Sequence, residues 1–301
     1  MKRQKYSYFF SAISAVAFFG LLWIPVSGMV LPGGTSGVDI GEKRDLEKFP
    51  ELSWEGVADW PEKFEGFFDD NFGFRKHFLR SNSVIRHLIL RAPTDRVVFG
   101  KDGWLFFNLE AVVNQYRGVN KFLESDLDRF IRRFRERDRY LGKQGVKFLY
   151  VSVPNKATVY PEYLPNWVQK IGPNHLDQIE SYISENGTPF PFLDLRHDLI
   201  VEKNRGILYG KTDTHWNRFG AYFGYRSIVE RLRFWFPELH PIEEDEIDFV
   251  PDRNAEGRDL AGLLGVPDLL REPYFYRVQM KRGSRVADVK AWRGGREIDP
   301  K

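Results

Sequence analysis

The chain has 301 residues, 42% of them hydrophobic and 29% charged, a globular composition with enough apolar residues to bury a sizeable core. Lys and Arg number 45 against 42 Asp and Glu; the resulting charge of +3 and the scatter of the basic residues exclude nucleic acid as a partner. Cysteine is absent, which excludes disulfides, a thiolate nucleophile and zinc–thiolate sites, and the 16% aromatic content is assigned mostly to the core, with sugar stacking as its other use.

Residues 8–31, YFFSAISAVAFFGLLWIPVSGMVL, carry no charge and number 24, enough to cross a bilayer core of roughly 30 Å as a helix. Lys2, Arg3 and Lys5 precede the run and the next charge is Asp39, so the N-terminus is expected in the cytoplasm and the bulk of the chain in the periplasm or outside the cell. A cleaved signal peptide ending near Val26-Ser27-Gly28 is the other reading, but the apolar run exceeds the roughly 7–15 residues of a signal core. Both readings export the domain. The expected organisation is a cytoplasmic tail (1–7), a single-pass inner-membrane anchor (8–31), a Gly-rich linker (32–45), a folded domain (46–270) and an atypical tail (271–301).

Within the domain, Asp59-Trp60-Pro61 predicts a helix start with Phe64, Phe67 and Phe68 on its buried face. A second helix is expected over 75–91, with Phe78, Ile85, Leu88 and Ile89 at helical spacing. Residues 97–99 and 104–107 predict a β-hairpin whose Asp102-Gly103 supplies a positive φ. Ser125, followed by Asp128, predicts a helix that closes at Gly142–Gly145. The apolar run 146–153 then reads as a strand buried on both faces of a parallel sheet. Further alternation predicts a helix over 174–185, strands near 190–195 and 207–209 with a helical turn to Lys203 between them, and a helix capped by Asn217. This is the α/β pattern of an open parallel sheet.

The chemistry concentrates in Asp213-Thr214-His215-Trp216-Asn217, after a strand and before a helix. In extended backbone, residues two apart project to the same side, so Asp213 can orient His215 and leave its other ring nitrogen as a base. The alternative is a structural Asp–His hydrogen bond. Metal binding has little support, since His77, His87, His175, His197 and His240 are scattered and form no cluster. Asn155 and Lys156, after the 146–153 strand, and the loop after Asp194 should reach the same sheet edge. Asn155-Lys156 and Tyr116-Arg117 are candidate contacts for an oxyanion or acidic sugar, with ordinary surface turns as the alternative.

Four motifs occur in order: Gly100-Lys101-Asp102-Gly103-Trp104-Leu105-Phe106; Val153-Pro154-Asn155-Lys156 with Tyr160-Pro161-Glu162-Tyr163-Leu164-Pro165; Asp213-Thr214-His215-Trp216-Asn217 with Gly220-Ala221-Tyr222; and Asp259-Leu260-Ala261. Together they resemble the alginate O-acetyltransferases of the AlgJ and AlgX type, an SGNH-hydrolase-like family that acetylates exported polysaccharides. The resemblance implies a flavodoxin-like three-layer α/β/α domain with a parallel sheet. It makes Asp213 the orienting acid and His215 the base, with no metal or cofactor; Asn155, Lys156 and Trp216 are the expected substrate contacts. It also implies an acetyl-donor membrane protein and other polysaccharide secretion subunits as partners. The family's nucleophilic serine follows a hydrophobic strand beyond the Asp-Leu-Ala segment. Here 277–284 does not have that pattern, and the Gly- and Arg-rich end reads as truncated or out-of-frame sequence. Ser284 is the remaining candidate nucleophile, since Ser227 is expected within a helix and Ser152 within a strand. The competing functions are a non-catalytic glycan-binding or scaffold subunit and a carbohydrate acetylesterase.

Overall fold

The computed structural model describes residues 2–30, 45–54, 56–92, 94–109, 112–281, 291–293 and 296–298, with the side chains of 2–12, 30, 291–293 and 296–298 excepted. The chain divides into two compact units, one comprising Met1–Thr94 with Ala261–Leu269 and the other Asp95–Leu260 with Leu270–Lys301.

In the first unit, helix α1 (Lys2–Val30) contains Pro25. The expected membrane span is not recovered in the structure: no helix among the described residues is long and apolar enough to cross a membrane. Part of that span, residues 8–12 and 30–31, lies outside the described side chains, and what remains falls short of the roughly 20 residues a crossing needs. Helix α2 (Trp60–Asn71) starts as predicted, with Pro in its first turn. Its Phe64 stacks on Trp60 at 4.9 Å and meets Phe49 edge-on at 6.1 Å. At its far end the Asp70 carboxylate accepts from the Glu47 amide at 2.9 Å. Helix α3 (Arg75–Ser83) then runs into a π-helical turn, Val84–Ile89. Each π turn holds more residues than an α turn, so the apolar row rotates away from its 3.6-residue spacing. Ile85 and Ile89, within that turn and expected on a buried face, are exposed, as is Phe78 in the α-helical part before it.

The second unit opens with the predicted hairpin. Strand β1 (Val97–Phe99) pairs antiparallel with β2 (Leu105–Phe107). Asp102 (φ 53°) and Gly103 (φ 74°) both occupy the left-handed region in the turn, where Asp and Gly are the residues that tolerate it. Helix α4 (Val112–Arg117) precedes α5 (Glu124–Gly142). The latter starts one residue before Ser125, and its N-cap is Leu123 without a side-chain bond, so the expected Ser125 cap is not used. The run 146–153 forms strand only at β3 (Tyr150–Ser152), half-buried, and Val146 and Val153 are exposed. Its extent follows its partner: β4 (Phe192–Asp194) lies parallel to it over three residues, and among the described residues this is the only parallel pairing.

Between these strands lie α6 (Lys156–Val159) and α7 (His175–Asn186). The latter begins with a reciprocal capping box between Asn174 and Asp177. After β4 come α8 (Arg196–Glu202) and α9 (Arg218–Leu232). The expected strand at 207–209 is reduced to one bridge, Tyr209 with Trp216. Strand β5 (Ile247–Pro251), the short helix α10 (Asp259–Leu263) and β6 (Tyr276–Met280) follow. Strand β6 pairs antiparallel with β5 and is largely exposed, in keeping with the lack of a hydrophobic pattern over 277–280. A last antiparallel pair, β7 (Ala291–Arg293) with β8 (Arg296–Ile298), ends the described chain. Residues 271–281, expected as the start of the atypical tail, thus belong to the second unit's fold. That unit's core gathers Trp104, Phe106, Tyr160, Leu195, Leu208 and Phe223, with Tyr163 stacked on Trp104 at 4.4 Å.

Candidate active site

The Asp213 segment is a short excursion between the extended residues Leu208–Tyr209 and helix α9. It is closed at its neck by the Tyr209–Trp216 bridge and the Gly210 amide, which reaches the His215 carbonyl at 3.4 Å. Asn217 fixes the exit. Its side-chain oxygen accepts from Gly220 N at 2.9 Å, capping α9, while its amide nitrogen donates to Ile207 O at 2.7 Å and Tyr274 O at 3.1 Å. The entry is tight: a Cβ on Gly210 would stand 2.6 Å from Asp213 Cβ.

Within this loop the structure brings Asp213 and His215 together. The imidazole Nδ1 lies 3.0 Å from Asp213 Oδ1, and the same oxygen accepts from the His215 amide at 3.0 Å, so one carboxylate oxygen holds both the backbone and the ring. Asp259, of the Asp-Leu-Ala motif, stands 3.6 Å from Nδ1 through Oδ2. Its Oδ1 accepts from Thr214 N at 2.8 Å and Leu260 N at 2.7 Å. Arg258 Nε lies 3.7 Å from Asp213 Oδ2 and carries its guanidinium over the Phe275 ring. Two carboxylates on the Nδ1 side favour a proton there, which leaves Nε2 with a free lone pair. The His215 side chain is 75% exposed, open to a bulky acceptor. Asp213, His215 and Asp259 also place three ligand atoms within 4.8 Å of one another, the one group among the described residues with the make-up of a metal site. A metal on Nδ1 would displace the proton that the base arrangement needs, so the two uses exclude each other.

The residues expected to touch substrate separate. Lys156 does not face outward: it is 4% exposed, and its Nζ donates to the carbonyls of Gly210 (2.9 Å), Lys211 (3.4 Å) and Asp213 (2.6 Å). Burial pulls its pKa down to about 7, against the pull of the Glu272, Asp259 and Asp213 carboxylates. Trp216 is likewise turned inward, its ring so close over Gly224 of α9 that a Cβ there would come within 2.7 Å. Lys156 has no donor left for a sugar, and Trp216 is partly buried against the core. Asn155 is exposed and lines a cavity of about 130 Å³ with Ser152, Tyr116, Asn174, His175 and Arg196, at the carboxyl ends of β3 and β4. Arg196 is held there by Asp177, Glu180 and Asp194. Arg117 Nε is buried without a hydrogen-bond partner. Ser227 lies within α9 and Ser152 within β3, and Ser284 lies outside the described residues. Among the described residues no serine hydroxyl bonds to His215.

Two contributors carried no sequence signal. Glu272, 1% exposed, accepts from the amides of Lys211 (3.0 Å), Thr212 (2.7 Å) and Tyr274 (3.1 Å) and from the Thr212 hydroxyl (2.8 Å). Thr212 in turn accepts at Oγ1 from Arg258 N (3.1 Å) and at its carbonyl from Leu260 N (3.1 Å), which ties the Asp259 segment to the loop.

Residues 97–289 match the SGNH hydrolase-like domain of the acetyltransferase AlgX, and every residue of the site just described lies inside that match. The chain belongs to the AlgX SGNH hydrolase-like family. Its curated relatives include the probable alginate O-acetylase AlgJ of Pseudomonas aeruginosa, 26% identical over 219 residues, covering 69% of this chain and 51% of the relative. The AlgJ of Pseudomonas syringae pv. tomato is 29% identical over 196 residues, covering 64% and 46%. The chain thus spans about half the length of the curated relatives it matches. Similar solved structures are the O-acetyltransferase domain of Pseudomonas putida AlgJ (TM-score 0.42, 23% identity, 62% of this chain and 65% of that one) and Bacillus cereus PatB1 with a sulfonyl adduct (TM-score 0.44, 18% identity, 63% and 58%). For this AlgX-family chain the SGNH-like fold expected from the sequence motifs is established by the family match.

Proposed function

We propose that this AlgX-family chain is an O-acetyltransferase that acts on an exported polysaccharide of the alginate kind, with Asp213 and His215 as its acid–base pair. The observation that carries the reading is the 3.0 Å contact between His215 Nδ1 and Asp213 Oδ1 on an exposed loop, the geometry of an oriented base. His215 Nε2 takes the proton of a hydroxyl nucleophile as its oxygen bonds to the acetyl carbonyl carbon. The imidazolium returns that proton to the departing donor oxygen, which leaves the acetyl group on the nucleophile. In the second half His215 takes the proton of a sugar hydroxyl, whose oxygen attacks the acetyl ester, and gives it back to the nucleophile's oxygen. The nucleophile is a serine outside the described residues in this reading, and Ser284 is the candidate in this sequence. Asp213 stabilises the imidazolium in both halves.

The uncharged run 8–31 supports an N-terminal membrane anchor with the domain in the periplasm, facing an acetyl donor delivered by a membrane protein of the secretion machinery. Acetyl release from an activated ester, measured with and without an acceptor glycan, tests the reading. Transfer to the glycan that is abolished in His215→Ala is the expected result. Release that persists in His215→Ala overturns the catalytic role, glycan binding without turnover in the parent protein favours a scaffold, and release without transfer in excess glycan favours an esterase.

A further inference from the structure

A lysine ammonium and a glutamate carboxylate buried in one small unit would be expected to pair directly, since each is costly to desolvate alone. Lys156 and Glu272 do not: no ion pair joins them among the described residues, and the peptide backbone of the Asp213 loop stands between them. The ammonium has three N–H donors and meets three carbonyls, those of Gly210, Lys211 and Asp213. The carboxylate has about four lone-pair sites and meets four donors, three amides and the Thr212 hydroxyl. Both ions are thus fully satisfied without touching.

The pattern is more specific than two separate sets of bonds. The Gly210 carbonyl and the Lys211 amide belong to one peptide unit; the oxygen lies on Lys156 and the N–H on Glu272. The next unit repeats the arrangement, with the Lys211 carbonyl on the ammonium and the Thr212 amide on the carboxylate. Two consecutive peptide groups are therefore held at both ends, their dipoles aligned between a cation and an anion, and each bond polarises the one in series with it. Successive carbonyls point opposite ways in a strand, so residues 210–212 have left the extended backbone, and the two ions grip both sides of the turn they make. The third carbonyl on Lys156 is that of Asp213 itself, and the Lys156 stem is fixed beside the Trp104 and Phe106 rings, with Nζ 5.6 Å and 5.2 Å from their centroids.

We propose that Lys156 and Glu272 are a pair of positioning residues that act through the backbone of 210–213 to hold the Asp213 carboxylate against His215. The proposal rests on the reading of Asp213 and His215 as the acid–base pair, and gives that pair its support. It also assigns Lys156 and Glu272 a role in preorganisation and not in contact with the glycan.

The test uses the full chain and three readouts. Lys156→Met and Glu272→Gln, each first shown by circular dichroism to be folded, are expected to lower kcat for acetyl release about 10²-fold with KM little changed, as a displaced base does. In the double variant the loss should not exceed that of the worse single change by more than about twofold, because both act on one loop. The ring-nitrogen resonances of His215, read by NMR on histidine-labelled protein, are expected to shift in both variants. Hydrogen exchange in the unaltered chain supplies a measurement that needs no variant to fold: the Lys211 and Thr212 amides are expected to be strongly protected. Exchange of those amides at open-chain rates overturns the proposal, as do folded variants with unchanged kcat and unchanged His215 resonances. If the parent protein shows no acetyl chemistry but the resonances and the protection behave as expected, the clamp stands and the functional reading fails. If His215→Ala abolishes turnover while Lys156→Met and Glu272→Gln leave it intact, the functional reading stands and the clamp fails.

Discussion

His215 has one ring nitrogen committed to Asp213 and the other free, and the consequences of that division can be measured residue by residue. Asp213→Asn keeps the size of the side chain but presents an amide with no charge to favour the imidazolium, so kcat for acetyl transfer is expected to fall roughly 10⁴-fold with glycan affinity retained. Assays of transfer and of glycan binding on the same preparation check both halves. Lys156 makes a different prediction, about stability. Its pKa lies near 7 in the folded chain and 10.5 is its ordinary value, so between those limits the unfolded chain holds a proton that the folded one has released. Stability therefore rises with pH from about 7 to 10.5 on account of Lys156, and below 7, where both states are protonated, it makes no slope. The difference in unfolding free energy between the parent and Lys156→Met is expected to be flat below pH 7 and to widen in the parent's favour above it, as followed by denaturant titration across that range. The Asp213–His215 contact was legible because the two residues lie two apart in the chain, and the bond that closes the turn between them, from the His215 amide to Asp213 Oδ1, is equally local. The inward turn of Lys156 was not, since a lysine after a strand ordinarily faces water, and the carbonyls that draw it inward lie 54 to 57 residues away.

At the scale of elements, the loop and the helix that follows it are held by a few atoms with no slack. Gly210→Ala would push a methyl group into Asp213 Cβ, and the expected outcome is a folded protein with kcat reduced at least tenfold, read by the ester assay beside a circular dichroism spectrum. Asn217→Ala removes a helix cap and two further bonds that tie the start of α9 to Ile207 and Tyr274, and is expected to cost about 2 kcal/mol, seen as a lower denaturant midpoint at unchanged slope. That cap was visible in the sequence, as was the turn of the 97–107 hairpin, because each is decided by residues within three or four positions of one another. The long strand expected over 146–153 was not recovered, since an apolar run states a preference and a ladder needs a neighbour; β4 provides one for three residues only. Trp216 was expected at the sugar for a related reason: its indole is placed by Gly224, a helical turn and more beyond the motif, which no inspection of the motif itself discloses.

Across the whole molecule, the second unit closes only when residues beyond 270 are present. Tyr274 packs on the core, Glu272 holds the loop and β6 is the partner of β5. A chain ended at Leu270, the boundary composition suggests, would leave β5 unpaired and the Lys211 and Thr212 amides without acceptors. It is expected to lose cooperative unfolding, measured by thermal melts in the near ultraviolet. The family and the fold were legible because four motifs recur in order, while the dependence on 271–281 was hidden in residues with no apolar pattern of their own.

The Lys156 and Glu272 contacts also carry a consequence for when the site comes into being. They join the loop to partners 57 and 60 residues away on either side in the chain, and such contacts are made only after the intervening segments have ordered. The base is therefore expected to be among the last features to assemble: a nascent chain that has completed His215 but has yet to complete Glu272 would possess the motif without its geometry, and reactivity would arrive with the finished fold.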